Sequence, residues 1–477
     1  MNRSTFLLRF ATTLASSALL LSASGCGDDA EDAPESDVQT ADAGDDATMV
    51  DDAAMDDTAI DDTTMDDTTM DDTTMDDTTM DDTGQSDVEI DTTPPEGCDT
   101  YVVAGDSGDD HERVQEALIE ISEGETLCFS SGTFMFNTQL SLAADGVTIR
   151  GAGLDATRLD FSTQDSGGNG IRITGDGVTF EDLEVFDTPG DGIRADDVDD
   201  ITFRRISVLW PGEMDRTSGA YGLYPVGCTN VLIEDSVVVG ARDAGIYVGQ
   251  SNNIIVRRNE AFGNVAGIEI ENSNDADVYE NHAHNNTAGI LIFNLPGLAQ
   301  YGSRAKIHNN LIEENNLVNF GVEGTVVASV PGGTGLLILA CDENEIHDNI
   351  FRNNNSFGAL FFTYLPGLFG SYSDENFDVH SEGNWLHNNT FENNGSDAFG
   401  TLHAVAGQFI PDPTPEIVLD GCLSQRQIDG DVAAINCQSD NGDISYLSLD
   451  FCNNFADVSQ DIEAATCTQT SLPAIEL

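Results

Sequence analysis

Through the middle of the chain, apolar and polar residues alternate in short runs, and the runs return in a fixed order. Ile254, Val256, Ala261, Ile268 and Ile270 are matched one repeat later by Ala276, Val278, Ala283, Ile290 and Ile292. The last run of each repeat is opened by a glycine and an apolar residue: Gly192-Ile193, Gly222-Leu223, Gly245-Ile246, Gly267-Ile268, Gly289-Ile290, Gly335-Leu336 and Gly358-Ala359, at a basic period of 22 to 23 residues. Alternation at period two predicts strands with one buried face, three short ones per repeat. A unit of that size cannot bury its apolar face alone and must stack on its neighbours, so the pattern predicts an all-β solenoid.

Ahead of the repeats, Tyr101 to Val103 is strand-like. Asp110 to Ile121 then places Val114, Ala117, Leu118 and Ile121 at helical spacing, which predicts a helix suited to plug the open N-terminal end of the coil. Thr126 to Phe129, Gly132 to Phe136 and Val147 to Arg150 read as further strands. Between the first two strands of successive repeats stands a column of Ser236, Asn259, Asn281, Asn310, Asn349 and Asn389. Each Asn is expected to adopt a left-handed turn and to bond the amide of its counterpart in the adjacent repeat. Asn264, Asn286, Asn354 and Asn394 form a second such column.

With these residues in place, the repeats from Val147 to about Ala406 resemble a right-handed parallel β-helix of the pectate-lyase kind. Tyr221-Gly222-Leu223-Tyr224-Pro225-Val226, followed by Asn230 to Ser236, is similar to the active-site rung of mannuronan epimerases. In that family an Asp and then a His stand around the Pro and act in removing and returning a proton at a uronate carbon. Here those positions hold Tyr224 and Val226, so the resemblance implies the fold and not that pair of catalytic groups. The rung pattern also resembles NosD-type periplasmic β-helix proteins tied to copper-enzyme maturation, an analogy at the level of fold.

Four insertions interrupt the period. Trp210 to Ala220 and Leu317 to Gly333 precede the third strand of their repeats, and Asn294 to Ser303 and Tyr364 to Gly383 follow it, so they are expected to wall one sheet. Two share Leu-Pro-Gly-Leu, at 295 to 298 and 365 to 368, which predicts a lid packed on the outward apolar residues Leu291, Phe293, Leu337, Leu339, Leu360 and Phe362. The N-terminal half of that sheet is polar. Arg172, Arg194, Tyr224, Tyr247 and Glu269 face outward in one column, with Thr174, Asp196, Val226, Gly249 and Glu271 beside it. With Tyr221, these Arg, Asp, Tyr and Glu residues predict a groove for a chain of sugars, in which arginines meet carboxylates and tyrosines stack on sugar faces.

Chemistry in that groove has two candidate forms. Glu269 and Glu271 sit two residues apart on one strand, roughly 7 Å by strand rise, inside the carboxyl spacing that glycoside hydrolysis uses. A lyase or epimerase would instead draw on Arg194 as the neutralising cation and Tyr224 as the base, provided the arginine lowers the tyrosine's pKa. A separate column, His308, His347 and His387, falls on one outward position of three successive first strands and offers copper or zinc a set of imidazoles. No cofactor is indicated, and no nucleophile elbow, phosphate loop or full-length calcium loop occurs.

Residues 1–26 have Arg3 and Arg9 before an apolar run and end Ala23-Ser24-Gly25-Cys26. That is a secretory leader, and its end resembles a bacterial lipoprotein cleavage box with Cys26 as the lipidated residue. Residues 27–96 carry 27 acidic residues and no Lys or Arg, with Met-Asp-Asp-Thr-Thr repeats from Met65. Such a segment cannot form a core and is expected to be a stretched spacer, not a specific calcium site. The chain has 86 acidic and 17 basic residues; with those 27 acids and the two leader arginines set aside, 59 acidic face 15 basic. Nucleic acid and anionic membrane surfaces are excluded as partners by that charge.

Cys98 and Cys128 are expected to pair. Cys422, Cys437, Cys452 and Cys467 are expected to form two bonds in a pairing left open, and Cys228 and Cys341 to be buried thiols. The expectation is an exported lipoprotein at the outer membrane or cell surface: leader 1–26, spacer 27–96, β-helix 97–410 and a Cys-containing appendage 411–477. It would bind polysaccharide along the sheet of third strands. The alternatives are a lyase or epimerase at the same sheet, and a metal-handling envelope protein.

Overall fold

In the computed structural model of the protein, which describes residues 93–105, 108–212 and 214–477, each repeat is one turn of a parallel coil. The expected leader, the lipidation at Cys26 and most of the acidic spacer lie outside the described residues. The described part belongs to one unit, Asp87–Leu477. Among the described residues no helix is long and apolar enough to cross a membrane.

The first strands of successive turns pair in parallel from Thr100–Val102 through Asn252–Arg257 and Asn274–Tyr279 to Cys437–Ser439. The second strands pair from Gly132–Met135 through Glu260–Phe262 and His282–His284 to Thr390–Glu392. The third strands form an eleven-stranded sheet from Thr138–Leu142 to Tyr446–Ser448. The inward members of the alternation, such as Ile254, Val256, Ala261, Ile268 and Ile270, are at most 1% exposed and share one core. The predicted helix is His111–Glu120, with Val114 and Leu118 buried in that core.

The marker glycines have a steric cause. A Cβ on Gly222 would stand 2.5 Å from the Gly245 carbonyl and 2.3 Å from the Val238 side chain, and one on Gly289 would stand 2.7 Å from the Gly335 carbonyl. Successive turns touch backbone to backbone there, and any side chain would push them apart.

The Asn columns are hydrogen-bonded ladders. The amide of Asn259 donates to Asn281 Oδ1 at 3.0 Å, that of Asn281 to Asn310 Oδ1 at 3.0 Å, and that of Asn349 to Asn389 Oδ1 at 3.0 Å. The left-handed residue, however, is the one before each Asn: Arg258, Glu280, Asn309, Asp348 and Asn388 have φ of 53° to 55°. That residue turns the chain so that the Asn side chain points inward beneath the neighbouring amide. The second column gains Asn315, which fills the turn between Asn286 and Asn354. A third column, Asn344, Asn384 and Asn436, repeats the device before the first strand.

Three of the four insertions, Asn294 to Ser303, Leu317 to Gly333 and Tyr364 to Gly383, cover the apolar half of the third-strand sheet, whereas Trp210 of the remaining one joins the inner core. Leu291, Phe293, Leu337, Leu339, Leu360 and Phe362 form an outer core with Val327, Val330, Tyr364 and Phe377, and Leu295, Leu365 and Leu368 of the two Leu-Pro-Gly-Leu segments pack against it. Past Pro411 the sheets run on, as Ile417–Leu419 pairs with Phe357–Phe362 and Cys437–Ser439 with Trp385–His387. Disulfides join Cys98 to Cys128, Cys422 to Cys452 and Cys437 to Cys467. Cys228 and Cys341 are free and buried.

Candidate functional site

Register makes the outward face of the third-strand sheet a single graded column: Arg172, Arg194, Tyr224, Tyr247, Glu269, then Leu291, Leu337 and Leu360. Charge gives way to aromatic rings, the rings to buried acid, and the acid to the covered apolar half. At the charged end one carboxylate clamps two guanidiniums. Arg172 Nε donates to Asp196 Oδ2 at 2.7 Å and Arg194 Nε to Asp196 Oδ1 at 2.7 Å. Arg194 also reaches Asp191 at 3.9 Å and lies 4.8 Å over the Tyr224 ring.

Tyr221, Tyr224 and Tyr247 form an aromatic triangle with centroids 4.5 to 4.9 Å apart. Tyr247 lies flat along its own strand because Gly249 has no side chain; a Cβ there would stand 2.4 Å from the ring. Its hydroxyl thereby reaches Glu271, donating to Oε1 at 2.7 Å. Beneath it, Glu269 Oε2 is buried without a hydrogen-bond partner.

Burial dominates the electrostatics. It raises the Asp191 carboxyl to about 7 despite the pull of Arg194, and the Asp243 carboxyl to about 7 against a hydrogen bond from Tyr221. Burial also drives Glu269 well above the usual carboxylate range, and raises Glu271 despite its bond from Tyr247. A lone buried charge is costly, so this pair holds a proton.

Three expectations are corrected here. Tyr247, Glu269 and Glu271 face outward, yet are 4%, 3% and 8% exposed; they floor the site and do not line an open groove. Tyr224 is not primed as a base, because burial raises its hydroxyl further than Arg194 lowers it. His308, His347 and His387 stack with centroids 4.9 and 5.0 Å apart and planes within 1° and 16°. Rings so nearly parallel direct their in-plane lone pairs alongside one another, and each goes to its own carboxylate: Asp277, Asp348 and Glu345. They do not converge on one ion.

Asp191 and Asp243 were not among the residues singled out from sequence. Counting back by twos from Arg194 sends Asp191 inward, but the tight approach at the marker glycine interrupts the alternation. The residue before that glycine instead faces outward, as Ala244, Ala266 and Ala288 do in the outer core. An acid directly before a marker glycine was the available signal for Asp191; Asp243 stands one residue further back, ahead of Ala244 and Gly245. Arg172, Arg194, Asp196, Tyr221 and Tyr224 are gathered by the fold as a partly exposed patch.

The family described as "Right handed beta helix region" matches residues 169–325 and 216–410, together just over half of the chain. The chain belongs to that family. Among solved structures, the β-helix is similar to the A-module of mannuronan C-5 epimerase AlgE4 from Azotobacter vinelandii, at 18% identity and TM-score 0.45 over 66% of this chain and 92% of that one. It is similar also to a polygalacturonase from Erwinia carotovora, at 13% identity and TM-score 0.41 over 65% and 95% of the two chains. An alginate lyase from Paenibacillus aligns at 14% identity and TM-score 0.31 over 63% and 98%. No curated protein matches the chain.

Proposed function

We propose that this protein binds a polysaccharide along the N-terminal half of the third-strand sheet and hydrolyses a glycosidic bond beside Arg194. One observation carries the reading: Arg194 stands between Asp196, paired at 2.7 Å, and Asp191, at 3.9 Å. Two carboxyls in reach of one guanidinium are at most about 9 Å apart, which does not exceed the upper limit of the carboxyl spacing used by glycosidases. Asp191, raised to about 7 by burial, is the general acid, and Asp196 is the carboxylate that activates water. Tyr221 and Tyr224 provide the stacking platform, and Arg172 and Arg194 favour an acidic sugar. The lyase alternative lacks its base, since Tyr224 keeps its proton.

The test incubates the protein with a panel of acidic and neutral polysaccharides and measures new reducing ends, unsaturated uronate absorbance and retention on the glycan. New reducing ends that vanish in Asp191→Asn and Asp196→Asn support hydrolysis. Unsaturated products would return the site to a lyase, and retention without products would make it a binding surface alone.

The cellular placement belongs to the same proposal: export by the leader, lipid attachment at Cys26 and an acidic spacer that holds the β-helix away from an anionic surface. Labelling with a palmitate analogue, lost in Cys26→Ala, checks it.

A further inference from the structure

On the second-strand ladder, well away from the tyrosines in chain position, His282 and His284 project from one strand, separated by the inward Ala283. Glu260 lies on the preceding strand, directly beside His282 in register, and Glu313 on the following strand beside His284. The contacts run on the diagonals: His284 Nε2 meets Glu260 Oε1 at 3.0 Å and His282 Nε2 meets Glu313 Oε1 at 3.0 Å. One ligand atom from each of Glu260, His282 and His284 lies within 4.8 Å of the others.

The two rings are 4.0 Å apart, and they bring a ligand atom of each imidazole and one of Glu260 close together, as the His308 column does not. His284 is braced on both sides. Phe262 stacks on it at 5.1 Å, and its Nδ1 faces Asn285 Oδ1 at 2.8 Å. With Nδ1–H donating to Asn285 Oδ1, a neutral imidazole turns its Nε2 lone pair toward Glu260. A metal ion on Nε2 would take up that lone pair, with Asn285 holding the tautomer that directs it. Glu313 is already engaged by Arg352, whereas Glu260 is 46% exposed and free to swing to an ion.

We propose that Glu260, His282 and His284 form a surface site for one divalent first-row transition ion, copper(II) or zinc(II), with water completing its coordination. Two imidazoles and a carboxylate suit these ions over calcium or magnesium, which take oxygen ligands. Metal–nitrogen bonds of about 2.0–2.1 Å require the ligand atoms to draw together by roughly an ångström, a rotamer change for the exposed Glu260. The strand backbone of an Ala-separated His pair fixes the two imidazoles without movement of the coil.

The experiment titrates the full protein with copper(II), and separately zinc(II), in millimolar calcium to occupy the carboxylate-rich spacer, which contains no histidine. Equilibrium dialysis is expected to give one calcium-resistant equivalent, with electron paramagnetic resonance showing copper coupled to two nitrogens. His284→Ala and His282→Ala should each weaken binding at least tenfold. Glu260→Gln, which leaves both rings and the fold untouched, should weaken it several-fold. His347→Ala should change nothing. Binding that survives His282→Ala plus His284→Ala, that is lost in His347→Ala, or that shows no nitrogen coupling overturns the assignment. Circular dichroism of each variant separates loss of the site from loss of the fold.

Discussion

Asp191→Asn should do two opposite things: abolish turnover and stabilise the fold above neutral pH. The carboxyl is raised from 3.8 to about 7, with burial as the main cause, and each tenfold difference in proton affinity between the folded and unfolded chain is worth about 1.4 kcal/mol. Below about 3.8 the group is protonated in both states and costs nothing. As pH rises, the unfolded chain ionises first, so stability falls by about 1.4 kcal/mol per pH unit. Above about 7 the loss is complete, at about 4 kcal/mol. Asparagine has nearly the same shape, keeps an oxygen for the Tyr221 amide and has no charge to bury. The variant should therefore be more stable than the native protein by up to about 4 kcal/mol at pH 8, with the gain gone by pH 3.5. Urea unfolding followed by tryptophan fluorescence and circular dichroism at both pH values measures the gain, and release of reducing ends measures the activity. Equal stability of the two proteins at pH 8 would show that burial does not raise the Asp191 carboxyl, and the role of general acid would go with it.

Arg172→Ala plus Arg194→Ala should reduce retention on acidic polysaccharides at least tenfold while leaving neutral ones less affected, as measured on a glycan array. Asn281→Ala removes the acceptor for the buried Asn259 amide and the donor to Val256 carbonyl oxygen, bonds of 3.0 and 2.9 Å. At about 1–3 kcal/mol per orphaned group, it should cost about 3 kcal/mol, seen in urea unfolding and in faster hydrogen exchange at Asn259. Cys228 and Cys341, whose thiols burial raises to about 11 and about 12, should react with maleimide after unfolding and not before. Cys437→Ala plus Cys467→Ala opens a bridge with a sequence separation of 30 and should lower stability by about 3–4 kcal/mol on loop entropy.

The coil was legible because its rules are local and repeated. Glycine recurs where turns touch, Asn where a turn amide needs an acceptor, and β-branched residues where a strand faces the core. Even the lid was visible, since Leu291, Phe293, Leu337 and Leu339 face outward and need a cover. The site was legible in part. Arg172, Arg194, Asp196 and Tyr224 stand on a regular alternation, and register alone brings them together. Asp191 escaped because the backbone pinch at Gly192 reverses the facing of the residue before it, and Asp243 because it stands just ahead of the strand Ala244–Gly249, outside the alternation. His282 and His284 were passed over in favour of the longer histidine column, which counts as a column in sequence but stacks its rings in parallel.

Periodicity along this chain determined the architecture, the inward set and the identity of facing columns, because each is set by contacts between equivalent residues of adjacent turns. What the tertiary structure alone decided is how much water each outward residue sees. Tyr247 folds over Gly249 and three of the insertions close above the sheet, so Glu269 and Glu271 become a protonated floor while Arg194 stays at the surface. Burial is a property of everything packed above a residue, and no spacing in the sequence encodes it. The same desolvation keeps the proton on Tyr224 and lifts Asp191 towards neutrality, which moves the candidate chemistry from the tyrosine to the aspartate.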